Sequence, residues 1–155
     1  MLTALYIALR FVHFAALMVA FGCTLYAGWW APSALRRLLI QRFAQLLRSA
    51  LAVSALSAML MLVVQGGLMG DGWSDTWRPD VWQAVLHTQF GGVWLWEIVL
   101  SWVALGIAWV RPRQMMRRLL LLCVAQFILL AGVGHAAMYD GAAGALQRVN
   151  HALHL

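Results

Sequence analysis

The sequence predicts an all-α fold, a polytopic bundle of transmembrane helices whose N-terminus lies outside. Hydrophobic residues make up 64% of the chain and charged residues only 10%, against about 45–50% and about 25% in soluble domains. Several apolar runs are long enough to cross a bilayer, which takes roughly 20 apolar residues. At 155 residues, the chain is expected to form one transmembrane helical domain, 1–155.

Four spans and the start of a fifth helix follow from the apolar runs. Their predicted bounds are about 2–30, 50–68, 93–110 and 119–138, with the fifth helix starting at about 142. No basic residue precedes the first run, and we therefore interpret it as a retained span and not as a cleaved signal peptide. The fifth helix would reach only about 21 Å before the chain ends. We therefore expect that the chain is truncated within this helix.

The distribution of charge predicts the orientation. All eleven basic residues are arginine, and the segments 31–48 and 111–118, interpreted as loops, contain four each and no acid. Short arginine-rich loops stay in the cytoplasm. The N-terminus and the net acidic connection 70–92 are then outside, which is the periplasm if the membrane is a bacterial inner membrane. Because most of the arginines lie in short clusters between apolar runs, nucleic acid is not an expected partner; the lipid bilayer is.

The outer connection contains a predicted interfacial helix from Pro79 to Phe90. Proline suits the first helical turn. An apolar stripe faces one side and a polar face the other, as in helices that lie on a membrane surface. The stripe consists of Val81, Trp82, Val85 and Leu86, and the polar face of Asp80, Gln83 and His87.

Two ionisable residues lie about two turns inside their spans from the outer side, Arg10 in the first and Glu97 in the third. Charges inside a membrane are costly and mark functional candidates. At similar depth they are expected to form an ion pair if the two helices touch. The alternative is that they orient a neighbouring ligand.

Histidines predict a metal site in the outer half of the bundle. His13 lies near the middle of the first span and His135 at the end of the fourth, with Met138 one turn further on. His151 and His154 have the i, i+3 spacing that places both on one side of a helix. Imidazole binds Cu, Zn, Fe and Ni, and a thioether selects Cu(I). An intramembrane histidine can also simply bond to a helix carbonyl, and this structural alternative stays open.

The two cysteines, Cys23 and Cys123, are 100 residues apart in separate spans. This spacing does not indicate a disulfide framework. We expect small buried core residues. A Cu(I) exit site at the cytoplasmic ends of the spans is the alternative.

The sequence contains no motif of a known enzyme class. It lacks a Walker loop, a dinucleotide glycine motif, HExxH and a serine nucleophile motif, and we expect that the protein is not an enzyme. A haem-binding redox protein is an alternative, with haem b held by His13 and either His135 or His154; without CxxCH the haem would be non-covalent. A structural membrane subunit is a third. Small residues such as Ala16 and Ala20 permit close helix contacts and so a homodimer.

Four stretches in order, ALRFVHFAALMVAFG, QFGGVWLW, AGVGHA and NHALHL, resemble the N-terminal half of the copper resistance protein D (CopD-like) family. The resemblance implies a multi-pass bacterial inner-membrane protein that moves copper, as Cu(I) or Cu(II), in copper homeostasis or resistance. It also implies a periplasmic CopC-like copper-binding protein as partner. By resemblance, His13, His135 and His154 are the candidate ligands.

Overall fold

A computed structural model describes residues 1–110 and 116–131, and every regular element in these ranges is a helix, as predicted. The elements are α1 (Leu2–Leu25), a π-helical turn (Tyr26–Trp30), α2 (Ser33–Met69), a 3-10 turn (Asp75–Trp77), α3 (Pro79–Leu86), α4 (Gln89–Val110) and α5 (Met116–Ala131).

Three of these helices are long and apolar enough to span a membrane within the described ranges: Leu2–Trp30, Ser33–Met69 and Phe90–Val110. The first and third agree with the predicted spans. Helix α5, which has 16 residues, covers 119–131 of the predicted fourth span. The remainder of that span and the predicted fifth helix lie outside the described residues. The number of spans and the outward N-terminus therefore stay predictions.

The prediction of a loop over 31–48 was wrong, because α2 begins at Ser33 and runs for 37 residues. Pro32 precedes the first helical residue, and no glycine or further proline follows before Gly66. Ile40 and Leu47 are buried at helical spacing within this stretch. Arginine is also a good helix former, so the arginines extend α2 by several turns beyond the predicted span.

The predicted helix 79–90 is divided between two elements, since α3 ends at Leu86 and α4 begins at Gln89. Gly91 permits this sharp turn: a Cβ atom there would lie 2.5 Å from Leu86 Cα and would clash with the Val85 carbonyl. The predicted amphipathic pattern is confirmed, because Val85 is buried and the polar face is exposed.

The bundle core forms where α1 packs on α2 and α5, and α4 packs on α2 and α5. Fully buried alanines line these contacts and let the helices approach closely; they include Ala20, Ala27, Ala55, Ala58, Ala104 and Ala108. Ala16 and Ala20 are buried inside this chain, so their spacing does not support a homodimer. Large apolar side chains such as Phe11, Trp29, Trp109 and Leu121 are exposed, as expected on a surface that contacts lipid.

Different contacts hold the two ends of the bundle together. At one end, here called the N-terminal end, the connection 70–88 packs on Gly67 of α2 close to Leu2. There the Trp82 indole donates a hydrogen bond to the Thr76 carbonyl at 2.8 Å. At the opposite end, here called the arginine-rich end, the Arg48 Nε donates to the Ala108 carbonyl at 3.2 Å.

Candidate metal site

His13 is fully buried between α1, α2 and α4. Its Nδ1 lies 3.0 Å from the carbonyl oxygen of Ser54 and 3.2 Å from the hydroxyl of Ser57. A carbonyl oxygen only accepts hydrogen bonds. The Nδ1 atom therefore carries a hydrogen and donates it to Ser54, which fixes the ring against α2.

The other ring nitrogen, Nε2, lies 3.2 Å from Glu97 Oε1, and both side chains are fully buried. Because Nδ1 already carries a hydrogen, one further hydrogen is shared between Nε2 and the carboxyl group. Either glutamic acid donates to a neutral imidazole, or imidazolium donates to a carboxylate. The pair has no net charge in either form, which reduces the cost of burying it in a membrane.

The second carboxyl oxygen of Glu97, Oε2, is buried and has no hydrogen-bond partner in the part of the chain that the structure describes. Leaving a buried acceptor unpaired costs about 1–3 kcal/mol. Buried carboxyl oxygens are usually paired or coordinate a metal. Glu97 therefore offers an oxygen ligand beside the imidazole of His13.

Aromatic side chains cover the pair on the side of the N-terminal end. The Trp94 ring lies 5.6 Å from the His13 ring, centroid to centroid, and its Nε1 donates to the Ala58 carbonyl at 2.9 Å. Phe90 stacks on Trp94 at 5.4 Å. Next to this stack is a cleft of about 200 Å³, which Arg10 and Met61 also line. The cleft brings the surface close to the buried pair.

The predicted ion pair between Arg10 and Glu97 was wrong, because His13 is the partner of Glu97. Arg10 is exposed, and its Cζ lies 5.9 Å from the centroid of the Phe14 ring. Arg10 and His13, the two possible partners of Glu97, are three residues apart on α1. Their side chains therefore differ by about one turn in depth and by about 60° in direction around the helix. That rotation directs His13 into the core and Arg10 away from it.

A second buried polar pair joins α4 and α5 and was not predicted. The Ser101 hydroxyl donates to Gln126 Oε1 at 2.7 Å, and the Gln126 amide donates to the Leu122 carbonyl at 3.2 Å. Ser101 lies one turn after Glu97 on α4. The signal available in the sequence was a lone glutamine within the apolar run LLLLCVAQFILL.

Of the predicted metal ligands, only His13 falls within the described residues. His135, Met138, His151 and His154 lie outside them. Within residues 1–110 and 116–131, no group of three or more His, Cys, Asp or Glu side chains is placed to hold a metal ion. Among the described residues, His13 and Glu97 are the two polar side chains that the structure brings together here.

Cys23 and Cys123 are free thiols, and both are buried, as predicted for small core residues. In the connection at the N-terminal end, Arg78 Nε donates to Asp80 Oδ1 at 3.2 Å. This hydrogen bond lowers the pKa of the exposed Asp80 carboxyl below its ordinary value of 3.8.

Comparison with known proteins adds the context of a family. A family model described as "Copper resistance protein D-like, N-terminal domain" matches residues 1–145. Over all 155 residues the chain is 54% identical to the protein described as "Inner membrane protein YebZ" of Escherichia coli (strain K12), and it spans 53% of that relative's length. No solved structure matches the chain.

Proposed function

This chain belongs to the copper resistance protein D-like family, and from that membership we propose that it binds copper within the bacterial inner membrane and moves it across. Its role would be copper homeostasis or resistance, as a binding and transport protein and not as an enzyme. The chain spans about half the length of its relative. We therefore propose the activity for the complete protein or complex that contains this chain, and not for the chain alone.

The observation that carries the proposal is the buried pair of His13 and Glu97. An imidazole nitrogen and a carboxylate oxygen 3.2 Å apart can bind one cation together when the ion takes the place of the shared hydrogen. Metal ligands must give up their hydrogens in this way. Imidazole nitrogen suits copper, and a mixed nitrogen and oxygen set suits Cu(II) in particular.

Two donors do not complete the square-planar or tetragonal set that Cu(II) prefers, so we propose that further ligands come from elsewhere. The candidates are those predicted from the sequence: His135, His151, His154 and the thioether of Met138. Any one of the three histidines would complete a three-coordinate copper site with His13 and Glu97. The Met138 thioether would shift the preference toward Cu(I).

Copper is proposed to arrive from the periplasmic side, at the N-terminal end of the bundle. Tyr6, Arg10, Phe90 and Trp94 line a cleft, and the Trp94 ring packs on the His13 ring, so this cleft is the proposed way in to the pair. A CopC-like periplasmic protein is the proposed donor.

The test is the amount of copper bound per purified chain in detergent, with Cu(I) and Cu(II) supplied separately. We expect stoichiometric copper in the wild type and its loss in His13→Gln and Glu97→Gln, which keep hydrogen-bonding side chains of similar size. His87→Gln is the matched control, because His87 is exposed in the outer connection. It should keep the copper.

The outcomes separate the alternatives. Copper retained in both His13→Gln and Glu97→Gln would contradict this site. A Soret absorption band in the purified wild type, lost in His13→Gln, would replace copper by haem. Neither copper nor haem in a folded wild type would favour a structural subunit.

A further inference from the structure

Arg48 is held in place at the arginine-rich end by contacts with the last turn of α4. Its Nε donates to the Ala108 carbonyl at 3.2 Å, and its Cζ lies 5.4 Å from the centroid of the Trp109 ring. In the part of the chain that the structure describes, its terminal nitrogens Nη1 and Nη2 have no hydrogen-bond partner. The guanidinium group is therefore positioned, while its outer hydrogens are available to a ligand.

The guanidinium group of Arg48 borders a cleft of about 260 Å³ between α2 and α4. The other lining residues are Gln45, Ser49, Ala52 and Trp109. Because the α2 residues are three or four positions apart, they share one helix face, so amide, hydroxyl and guanidinium donors border the same space. Arginine binds phosphate through two parallel hydrogen bonds. This set of donors therefore suits a phosphate group.

The cleft lies where the hydrocarbon core of the membrane is expected to end. From Arg48 to the end of α2 at Met69 is about 31 Å, which matches the thickness of the hydrocarbon core, about 30 Å. The apolar span Phe90–Val110 ends one residue after Trp109, and tryptophan is enriched at membrane–water interfaces. The phosphates of lipid headgroups lie at this same level.

An apolar groove of about 340 Å³ between α1 and α2 adjoins the cleft, and Ser49 lines both. Its walls are almost entirely apolar and include Phe11, Val19, Leu46 and Val53. From Val19 to Phe11 the groove follows α1 for about 12 Å toward the N-terminal end, and so into the hydrocarbon core. Its position and lining suit an acyl chain that continues from a headgroup in the cleft.

The distribution of charge favours an anionic lipid. The described acidic residues lie elsewhere, since three are in the connection 70–88 at the N-terminal end and Glu97 is paired within the core. The same helix that carries the cleft also carries the exposed Arg37 and Arg42. No carboxylate among the described residues therefore competes for the guanidinium group, and clustered arginines attract anionic headgroups.

We propose that the arginine-rich end of the bundle binds one anionic phospholipid. Its phosphate accepts hydrogen bonds from Arg48 and Ser49 in the cleft, and one of its acyl chains lies in the groove between α1 and α2. Because this lipid contacts α1, α2 and α4 together, its binding stabilises the folded bundle. The site is independent of the proposed copper site.

Native mass spectrometry of the delipidated, purified chain measures the binding, with phosphatidylglycerol titrated against phosphatidylcholine of the same acyl chains. We expect the wild type to bind one phosphatidylglycerol in preference to the zwitterionic lipid. Arg48→Gln should weaken this binding about tenfold, as expected for the loss of a hydrogen bond to a charged group. Arg37→Gln is the matched control, because it removes the same charge about 16 Å away along α2. It should bind as the wild type does.

The groove is tested by Val53→Trp, which fills it and leaves Arg48 and its hydrogen bond to Ala108 in place. This variant should weaken phosphatidylglycerol binding roughly threefold, because the acyl chain loses packing contacts. Leu56→Trp is its control, since Leu56 is exposed and lines neither the cleft nor the groove. If Arg48→Gln does not fold, the comparison of these two tryptophan variants decides.

Three results would overturn the proposal. Equal binding of the two lipids by the wild type would remove the preference for an anionic headgroup. Equal losses in Arg48→Gln and Arg37→Gln would indicate diffuse attraction by surface charge, and equal binding by Val53→Trp and Leu56→Trp would empty the groove. A lipid-free wild-type dimer that Val53→Trp converts to a monomer would instead make this surface an interface between two copies, which also overturns the lipid site.

Discussion

Removing the carboxyl group of Glu97 is expected to destabilise the protein through the histidine that it leaves behind. In Glu97→Ala, the Nε2 atom of fully buried His13 loses its only described partner. Truncating one member of a buried pair costs about 3–5 kcal/mol. Glu97→Gln keeps a side chain of the same length, whose amide can donate to Nε2 while Nδ1 still donates to Ser54. Its cost should be about 1 kcal/mol, the net value of one hydrogen bond.

A double-mutant cycle isolates this pair. His13→Ala alone leaves the Glu97 carboxyl unpaired, whereas the double variant leaves neither group behind. The double variant should therefore cost less than the sum of the two single variants, with a coupling energy of about 1–3 kcal/mol. The coupling is expected to make the double variant less costly than the sum because His13 and Glu97 are both fully buried and lie 3.2 Å apart.

The assay is reversible unfolding in mixed micelles, with the free energy of unfolding compared at one detergent composition. His87→Ala is the control, because that histidine is exposed and its removal should change stability by less than about 0.5 kcal/mol. Additivity of the two single variants within about 0.5 kcal/mol would refute the coupling. Equal costs for Glu97→Gln and Glu97→Ala would refute the hydrogen-bonded, neutral description of the pair.

Three further predictions concern the surroundings of the site. Gly91→Ala should destabilise the chain by about 1–3 kcal/mol, as overpacking does, while Gly92→Ala, with no atom within 4 Å of its Cβ, should be nearly neutral in the same unfolding assay. Ser101→Ala should cost about 1–3 kcal/mol by leaving a buried amide oxygen on α5 unpaired; thermal melting in detergent measures it. The Asp80 carboxyl should titrate below pH 3.8 by NMR and return toward that value in Arg78→Ala, because the arginine hydrogen bond lowers its pKa. This loop interaction is therefore kept at neutral pH and lost as the pH falls through the lowered pKa.

The division into apolar helices could be predicted from the sequence because hydrophobicity is summed along the chain. A run such as 2–30 must be helical in lipid, where no water is available to satisfy backbone groups. The interfacial stripe of α3 was visible for a similar reason, since its spacing matches one helical face. Charge was a poorer guide to helix ends. The arginines of 31–48 marked a loop in the prediction, yet nothing in that stretch breaks a helix, and α2 extends through it.

The candidate ligand His13 could also be found in the sequence, because an ionisable residue in an apolar run is costly to bury. Its partner could not. Arg10 and His13 are three residues apart, and only the rotation of α1 against α2 and α4 decides which of them meets Glu97. The level at which Ser101 meets Gln126 likewise depends on the register of α4 and α5, which no local pattern in either segment specifies. The chain thus determines by itself which segments are helical and which residues are chemically unusual, while rotation and register, which are properties of packed pairs of helices, decide which of those residues come together.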